Sequence, residues 1–377
     1  MLVQAFRPEL MDQLVDKAER RERRRRLLPA QLMMYFALAM WLFGDSSYEE
    51  VLAKLTSGLP EMFQDVGDLA SAAAIARARK RLGVEPLKAL CGHVAASVQY
   101  GTSPQVGTPA GGRSTGGTGP GGRRVFAFES LAMEAPDTPA NRAAFGASQG
   151  KGHSLDVWLA LLTDCRPRVV AAAAITPGRE EGVESLLAEW PPDLVGAETL
   201  VVGDEETISP TLWNALTEAG ADQLWRVGGR LPYPLPVVRV LPDGSYLSKL
   251  APDGRDTGPR RETVVRVVPY GAATAAGKSR PPEPEAHGPR LVTSFLDDDA
   301  VTAQQAMAWF AGAEVYRTGV RQFVGQIAGP RVVLRSKSPE LVQQEIYAML
   351  CTYHVVGHLV SPVYLDAQGS LSPEDRR

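Results

Sequence analysis

Cysteine is scarce in this chain: Cys91, Cys165 and Cys351 are spread over 377 positions. An odd number at such separations builds neither a disulfide framework nor a zinc knuckle, and it fits a reducing cytoplasm. An excess of one charge is missing too. The 40 Lys and Arg against 43 Asp and Glu leave a net charge of −3 with a pI near 6.0. No global field therefore draws the chain to nucleic acid, and any such binding has to come from a local patch. Nor does any apolar run reach the about 20 residues that a membrane span requires. Leu32–Phe43 follows the arginine-rich stretch Arg20–Arg26 as the apolar part of a signal peptide would. It begins too far from Met1, however, and runs into Gly44-Asp45-Ser46-Ser47 without a convincing cleavage site. A buried helix is the expected outcome, with no membrane partner.

A hydrophobic share of 44% in a chain of this length supports one large core with smaller lobes, hence two or three domains. Residues 1–100 read as helical. Strong helix formers run from Asp12 to Arg26, Pro29 opens the next helix, Ser46 and Ser47 cap another, and Ser71 caps SAAAIARARKRL before Gly83 ends it. Residues 101–123 are dominated by Gly, Pro, Ser and Thr and read as a linker. Strands and helices then alternate. RVFAFES, HSLDVWLALLTD and RVVAAAAIT read as strands, Gly178–Trp190 as a helix, ETLVVGD as a buried strand and Pro210–Gly220 as a helix capped by Ser209-Pro210. QLWRV, PVVRVL, SYLSKL and ETVVRVV, separated by two Pro-Asp-Gly turns, suit an antiparallel β insertion over 223–290. RLVTSFL is a further strand, and Thr302–Gly325 and Pro339–Val356 read as helices. The expected division is 1–100, linker 101–123, core 124–222, insertion 223–290 and closing core 291–377, an α/β fold behind a helical N-terminal domain.

Several short patterns carry weaker signals. His153 is a lone histidine before a strand. Gly107–Gly122 lacks the Lys and Ser or Thr of a phosphate-binding loop. His354 and His358, at i and i+4, have no third ligand beside them. Arg77, Lys80 and Arg81 share one helix face, and with Arg24 and Arg25 of the basic run they are the candidates for DNA contact.

The stretches RRRRLLPAQLMMYFALAMWLFGDSSYEEVLAKL, IARARKRLGVEPLKAL, APDTPANRAAFG, LWNALTEAGADQLWRV, LPDGSYL and GPRVVLRSKSPELVQQEIYAMLCTYHVV span most of the chain. In them the chain resembles a bacterial insertion-sequence transposase of the DDE superfamily, the insertion-sequence-four type, with its helical N-terminal domain. The resemblance implies a ribonuclease H-like core in which two Asp and one Glu hold two divalent metals for in-line attack on a phosphodiester. The first of these positions falls on Glu129, followed by Ser130-Leu131 where the family has Gly and Thr. The second falls on Asp204, intact, with Glu205-Glu206, read as solvated loop residues, in place of Arg-Gly. The Tyr, Arg, Trp, Glu and Lys of the third motif fall on Phe310, Ala313, Glu314, Arg317 and Val324, all changed.

Scaffold segments match while the chemistry positions differ, which implies lost strand-transfer chemistry. Lengthening Asp to Glu at 129 shifts a carboxylate whose placement matters at the scale of about 1 Å. Arg317 can only donate hydrogen bonds and brings a positive charge to a cation site. Glu314, three residues before Arg317, offers a displaced triad with Glu129 and Asp204. The expectation is a DNA-binding, regulatory or scaffold protein without a cofactor, a possible homodimer. The alternatives are a Mg2+-dependent transposase whose metal ligands include Glu129 and Asp204, or a catalyst acting on a small-molecule ligand in the old cleft.

Overall fold

The computed structural model describes residues 2–24, 26–58, 70–99, 122–147, 154–165, 169–189, 194–228, 235–250, 263–270, 288–317, 319–328 and 333–369. The 101–123 linker (apart from residues 122–123), the second Pro-Asp-Gly turn, Arg25 and His153 lie outside this set. The chain divides into two compact units: Met1–Arg113 with Met133–Val157 and Val320–Arg377, and Ser114–Ala132 with Trp158–Gly319.

The first unit is largely helical. It holds α1 (Leu2–Ala5), α2 (Pro8–Lys17), α3 (Ala30–Leu42), α4 (Tyr48–Ser57), α5 (Ala72–Leu82), α6 (Glu85–Gln99), α7 (Pro139–Phe145), nearly all of α11 (Gly319–Ala328) and α12 (Pro339–Gly369). The apolar run is α3, whose residues Leu32 to Trp41 are all buried. It has no polar side because α2, α4, α5 and α12 all pack on it. Among the described residues no helix is long and apolar enough to cross a membrane. The helix expected to run to Arg26 stops at Lys17. Glu19 adopts φ 56°, and the Arg20 and Glu19 amides bond back to the carbonyls of Val15 and Asp16 (both 2.9 Å). This 6→1, 5→2 pattern closes a helix end, and the arginine-rich segment that follows is not helical.

Arg79 of α5 is fully buried in this unit. Its Nε donates to Gln344 (2.8 Å), and its terminal nitrogens donate to the Tyr48 hydroxyl (2.8 Å), Ser336 Oγ (3.2 Å) and the Leu341 carbonyl (3.3 Å). The Gln344 amide in turn donates to the carbonyls of Arg79 (3.0 Å) and Gly83 (2.7 Å), at the end of α5. The arginine and glutamine thus satisfy each other's polar groups where α5 meets α12.

The second unit is built on the sheet. Its strands, with the end of β1 and the start of β2 falling in the first unit, are β1 (Arg124–Pro136), β2 (Ser154–Asp164), β3 (Val169–Thr176), β4 (Thr199–Asp204), β5 (Asp222–Val227), β6 (Arg239–Val240), β7 (Tyr246–Leu250), β8 (Thr263–Pro269) and β9 (Arg290–Thr293). They form one nine-stranded sheet in the order β3-β2-β1-β4-β5-β9-β8-β7-β6. β1, β4 and β5 run parallel. The β2–β3 pair and the whole β5-β9-β8-β7-β6 series are antiparallel. QLWRV, expected in the insertion, is therefore a central parallel strand, and the insertion strands extend the same sheet. Helices α8 (Arg179–Glu189), α9 (Pro210–Glu218) and α10 (Ala303–Arg317) complete the unit. The expected helix Thr302–Gly325 is two helices, α10 and α11.

A second buried arginine fastens α10 to the sheet. Arg266 of β8 is fully buried and donates to Ser245 Oγ (2.7 Å) and to the carbonyls of Val301 (2.5 Å), Phe295 (3.3 Å) and Asp297 (3.4 Å). It also pairs with Asp243, which lies in the β6–β7 turn where Gly244 supplies φ 83°. Asp243 accepts from the amide of Ala303 (2.7 Å), the first residue of α10. Burial pushes the Asp243 carboxyl up, but bonds from the Ser245 hydroxyl and amide, the Ala303 amide and the Arg266 charge outweigh it and hold the group below its usual range.

Asp243→Ala strands the Arg266 charge and should cost about 3–5 kcal/mol. Because the folded carboxyl is the stronger acid, its contribution is present above the ordinary carboxylate pKa of about 3.9 and is lost as pH falls through the depressed value. Urea unfolding measured from neutral to strongly acidic pH should show a steeper acid loss for wild type than for Asp243→Ala.

Candidate functional site

Strand register decides which side chains share a face. β1 pairs with β4 as Phe126↔Val201 and Ala127↔Val202, so Glu129 and Asp204 are each two residues beyond a matched pair. β4 pairs with β5 as Val202↔Leu224 and Asp204↔Arg226. Alternation sorts the side chains. Phe126, Phe128, Val201, Trp225 and Val227 enter one core. Ala127, Leu200, Val202, Leu224 and Leu291 enter the core of the opposite face. Counting on by twos, Glu129, Asp204 and Arg226 fall on this second face, in a row across three adjacent strands.

The helix over that face is α10. Its Ala303, Ala306, Phe310 and Ala313 belong to the same core, spaced at three and four residues as one helix stripe requires, and Phe310 meets Tyr270 edge to face at 5.7 Å. Phe310 and Ala313 are thus packing residues at positions where the family resemblance expects a Tyr and an Arg. Positions 314 and 317 follow on α10 at four and seven residues after Phe310. The side chains of Glu314 and Arg317 lie outside the described set.

Glu129 is buried and Asp204 half-buried. Asp204 ends β4 and shapes the turn after it. Its carboxylate accepts from the Glu206 amide (3.1 Å) and Thr207 Oγ1 (3.4 Å), and its carbonyl accepts from the amides of Thr207 and Ile208 (both 3.1 Å). Glu205, expected as a solvated loop residue, instead accepts from the Gly228 amide just after β5. Arg226 was not singled out in the sequence, because its place beside Asp204 depends on strand pairing. Among the described residues no group of three His, Cys, Asp or Glu is placed to hold a metal ion. Two carboxylates with a guanidinium in register do not fit a pair of divalent cations, which need several hard oxygen ligands.

The basic candidates lie elsewhere. Arg77, Lys80 and Arg81 are exposed on α5, and Arg24 is exposed in the non-helical segment after α2. Arg81 also reaches the Leu28 carbonyl (3.4 Å). Arg79, in the middle of the same run, is spent on packing.

Two comparisons bear on ancestry. Residues 1–91 match the family described as insertion element 4 transposase N-terminal. Over 356 residues, 93% of this chain and 74% of the relative, the chain is 25% identical to the transposase InsG for insertion sequence element IS4 of Escherichia coli (strain K12). The chain is related to the insertion-sequence-four transposases. A solved structure, the piggyBac transposase synaptic complex with hairpin DNA, is similar at a TM-score of 0.47 and 13% identity, covering 96% of this chain and 74% of that one.

The approach to Asp204 depends on Gly203. A Cβ there would lie 2.1 Å from the Trp225 ring, and Trp225 is fully buried. Gly203→Ala should therefore destabilise by roughly 1–3 kcal/mol through overpacking. Gly312→Ala on α10, where a Cβ meets nothing within 4 Å, should be neutral or stabilising. Urea midpoints of the two variants test the contrast.

Proposed function

We propose that this chain is a transposase-derived protein with a ribonuclease H-like core that no longer carries out DDE strand transfer and acts as a DNA-binding, regulatory or scaffold protein. The observation that carries the reading is Arg226, in register with Asp204 and on the face where Glu129 lies. Two neighbouring carboxylates without a counter-charge repel and resist ionisation. A metal relieves that repulsion in the ancestral chemistry, and a guanidinium relieves it here. Its planar fork bonds carboxylates in pairs and has no lone pair to offer a metal. Arg226 and Arg317 are the counter-charges in this reading. The parallel β1-β4-β5 centre flanked by the β2–β3 hairpin supports the ribonuclease H-like assignment.

DNA binding is assigned to residues 1–100, through the exposed Arg77, Lys80 and Arg81 of α5 and Arg24 of the segment after α2. Binding of this kind rests on phosphate contacts that release counterions, so it should be strongest at low salt and weaken as salt rises, with a slope set by how many contacts are made.

Purified protein given DNA with candidate element ends and magnesium or manganese should bind at low salt without nicking or joining it. Metal-dependent strand transfer abolished by Asp204→Ala would overturn the loss of chemistry, and sensitivity to Glu314→Gln as well would identify a displaced triad.

A thermal-shift comparison addresses the counter-charge directly. In EDTA, Arg317→Ala should melt below wild type, by an amount set by how far water enters the cluster. Adding magnesium should stabilise Arg317→Ala more than wild type, since a ligand that binds only the folded state raises its stability. Equal magnesium responses would refute the counter-charge role.

A further inference from the structure

Cys91 and Cys351, which the sequence separates by 260 positions, have their sulfurs 2.9 Å apart. Cys91 projects from α6 and Cys351 from α12, two helices packed on each other within one unit. The Cys91 thiol also donates to the Tyr347 carbonyl, one turn before Cys351, at 3.3 Å, and Cys351 approaches the Leu87 carbonyl, one turn before Cys91, at 3.9 Å. Each sulfur therefore leans over the partner helix's backbone toward the other. A covalent S–S bond is about 2.0 Å long, so closure asks for roughly 0.9 Å of further approach, within the reach of χ1 adjustments on two helices.

The two thiols are not equivalent. Cys91 is half-buried and Cys351 fully buried. Burial pushes the Cys351 thiol up, and the neighbouring Cys91 adds to the effect. Cys165, in the other unit, is buried, with burial pushing its thiol up as well, and has no cysteine beside it among the described residues.

We propose that Cys91 and Cys351 form a reversible oxidation site that closes to an intramolecular disulfide on reaction with a low-molecular-weight disulfide. The Cys91 thiolate attacks one sulfur of the small disulfide, forming a mixed disulfide and releasing one small thiolate, which takes up the Cys91 proton. Cys351 then gives up its proton and attacks the Cys91 sulfur. The new S–S bond forms as the mixed disulfide breaks, and a second small thiol leaves with that proton. Two protein thiols are oxidised and one small disulfide is reduced to two thiols. The closed form ties α6 to α12 and so fastens the C-terminal helix to the N-terminal helices. In a reducing compartment the pair stays open, and oxidative stress closes it.

The test uses the full native chain, freed of reductant and treated with oxidised glutathione. Non-reducing peptide mapping should recover a Cys91–Cys351 linked peptide, with Cys165 still alkylated once the protein is unfolded. Because the cross-link closes a very long loop, the oxidised protein should melt higher by roughly 5 °C, and dithiothreitol should reverse the shift. Cys351→Ser should stop at glutathione on Cys91, and Cys91→Ser should show neither product, each variant's fold being checked by circular dichroism. Wild type that stops at the Cys91 mixed disulfide, that does not react, or that links Cys165 would overturn the proposal, and these readings need no variant to fold.

Discussion

The parallel pairing of β1, β4 and β5 is the constraint on which the rest of the second unit depends. A strand has a period of two, so a slip of one residue along either pair would send Glu129 or Asp204 to the face occupied by Phe126, Phe128 and Trp225. The register is held by packing on both sides. Val201, Trp225 and Val227 fill one core and Leu200, Val202 and Leu224 the other, so neither face tolerates exchange. Gly203 belongs to the same constraint, because only a residue without a Cβ lets Trp225 lie flat against β4 beside Asp204. The row of charged groups is a by-product of a core that cannot be threaded any other way.

Among the described residues each unit contains one fully buried arginine, and the two solve the same problem differently. Arg266 has a carboxylate partner in Asp243 and uses backbone carbonyls for its remaining protons. Arg79 has no direct carboxylate among its bonds and relies on Gln344, Tyr48, Ser336 and the Leu341 carbonyl. Glu345 accepts from Ser336 Oγ (2.5 Å) and so sits one hydrogen bond further out. Both arrangements join elements distant in sequence, α5 to α12 and the β6–β7 turn to the start of α10. Burying a charge contributes little net stability, but misplacing either element would leave that charge without partners, which is costly.

The chemistry of the charged row follows from what its members can do. Carboxylates on neighbouring strands need positive charge nearby, and that need can be met by a bound ion or by a fixed side chain. In the proposed reading a fixed guanidinium meets it, a group that is present whenever the protein is folded and needs no binding equilibrium. On α10, Phe310 and Ala313 belong to the hydrophobic seam that holds the helix down.

Local signals were legible in the chain. Ser47, Ser71 and Ser209 do cap their helices, the long apolar run is a buried helix, and the strand patterns around Phe126, Leu159 and Val201 became strands, because caps and periodicity act over a few residues. The motif stretches likewise pointed to the insertion-sequence-four relationship. Other features were decided only by tertiary structure. Which arginine of IARARKRL is buried depends on where α12 lies, and α12 is contributed by residues more than 250 positions away. Arg226 is an unremarked residue of QLWRV until β5 pairs with β4, and QLWRV itself looked antiparallel because its neighbours in sequence are. Glu205 looked solvated until Gly228 came beside it. Cysteines judged too distant to meet share a helix interface. In each case a residue's type and its near neighbours set what it can do, while register and helix packing, which join distant segments, set what it meets.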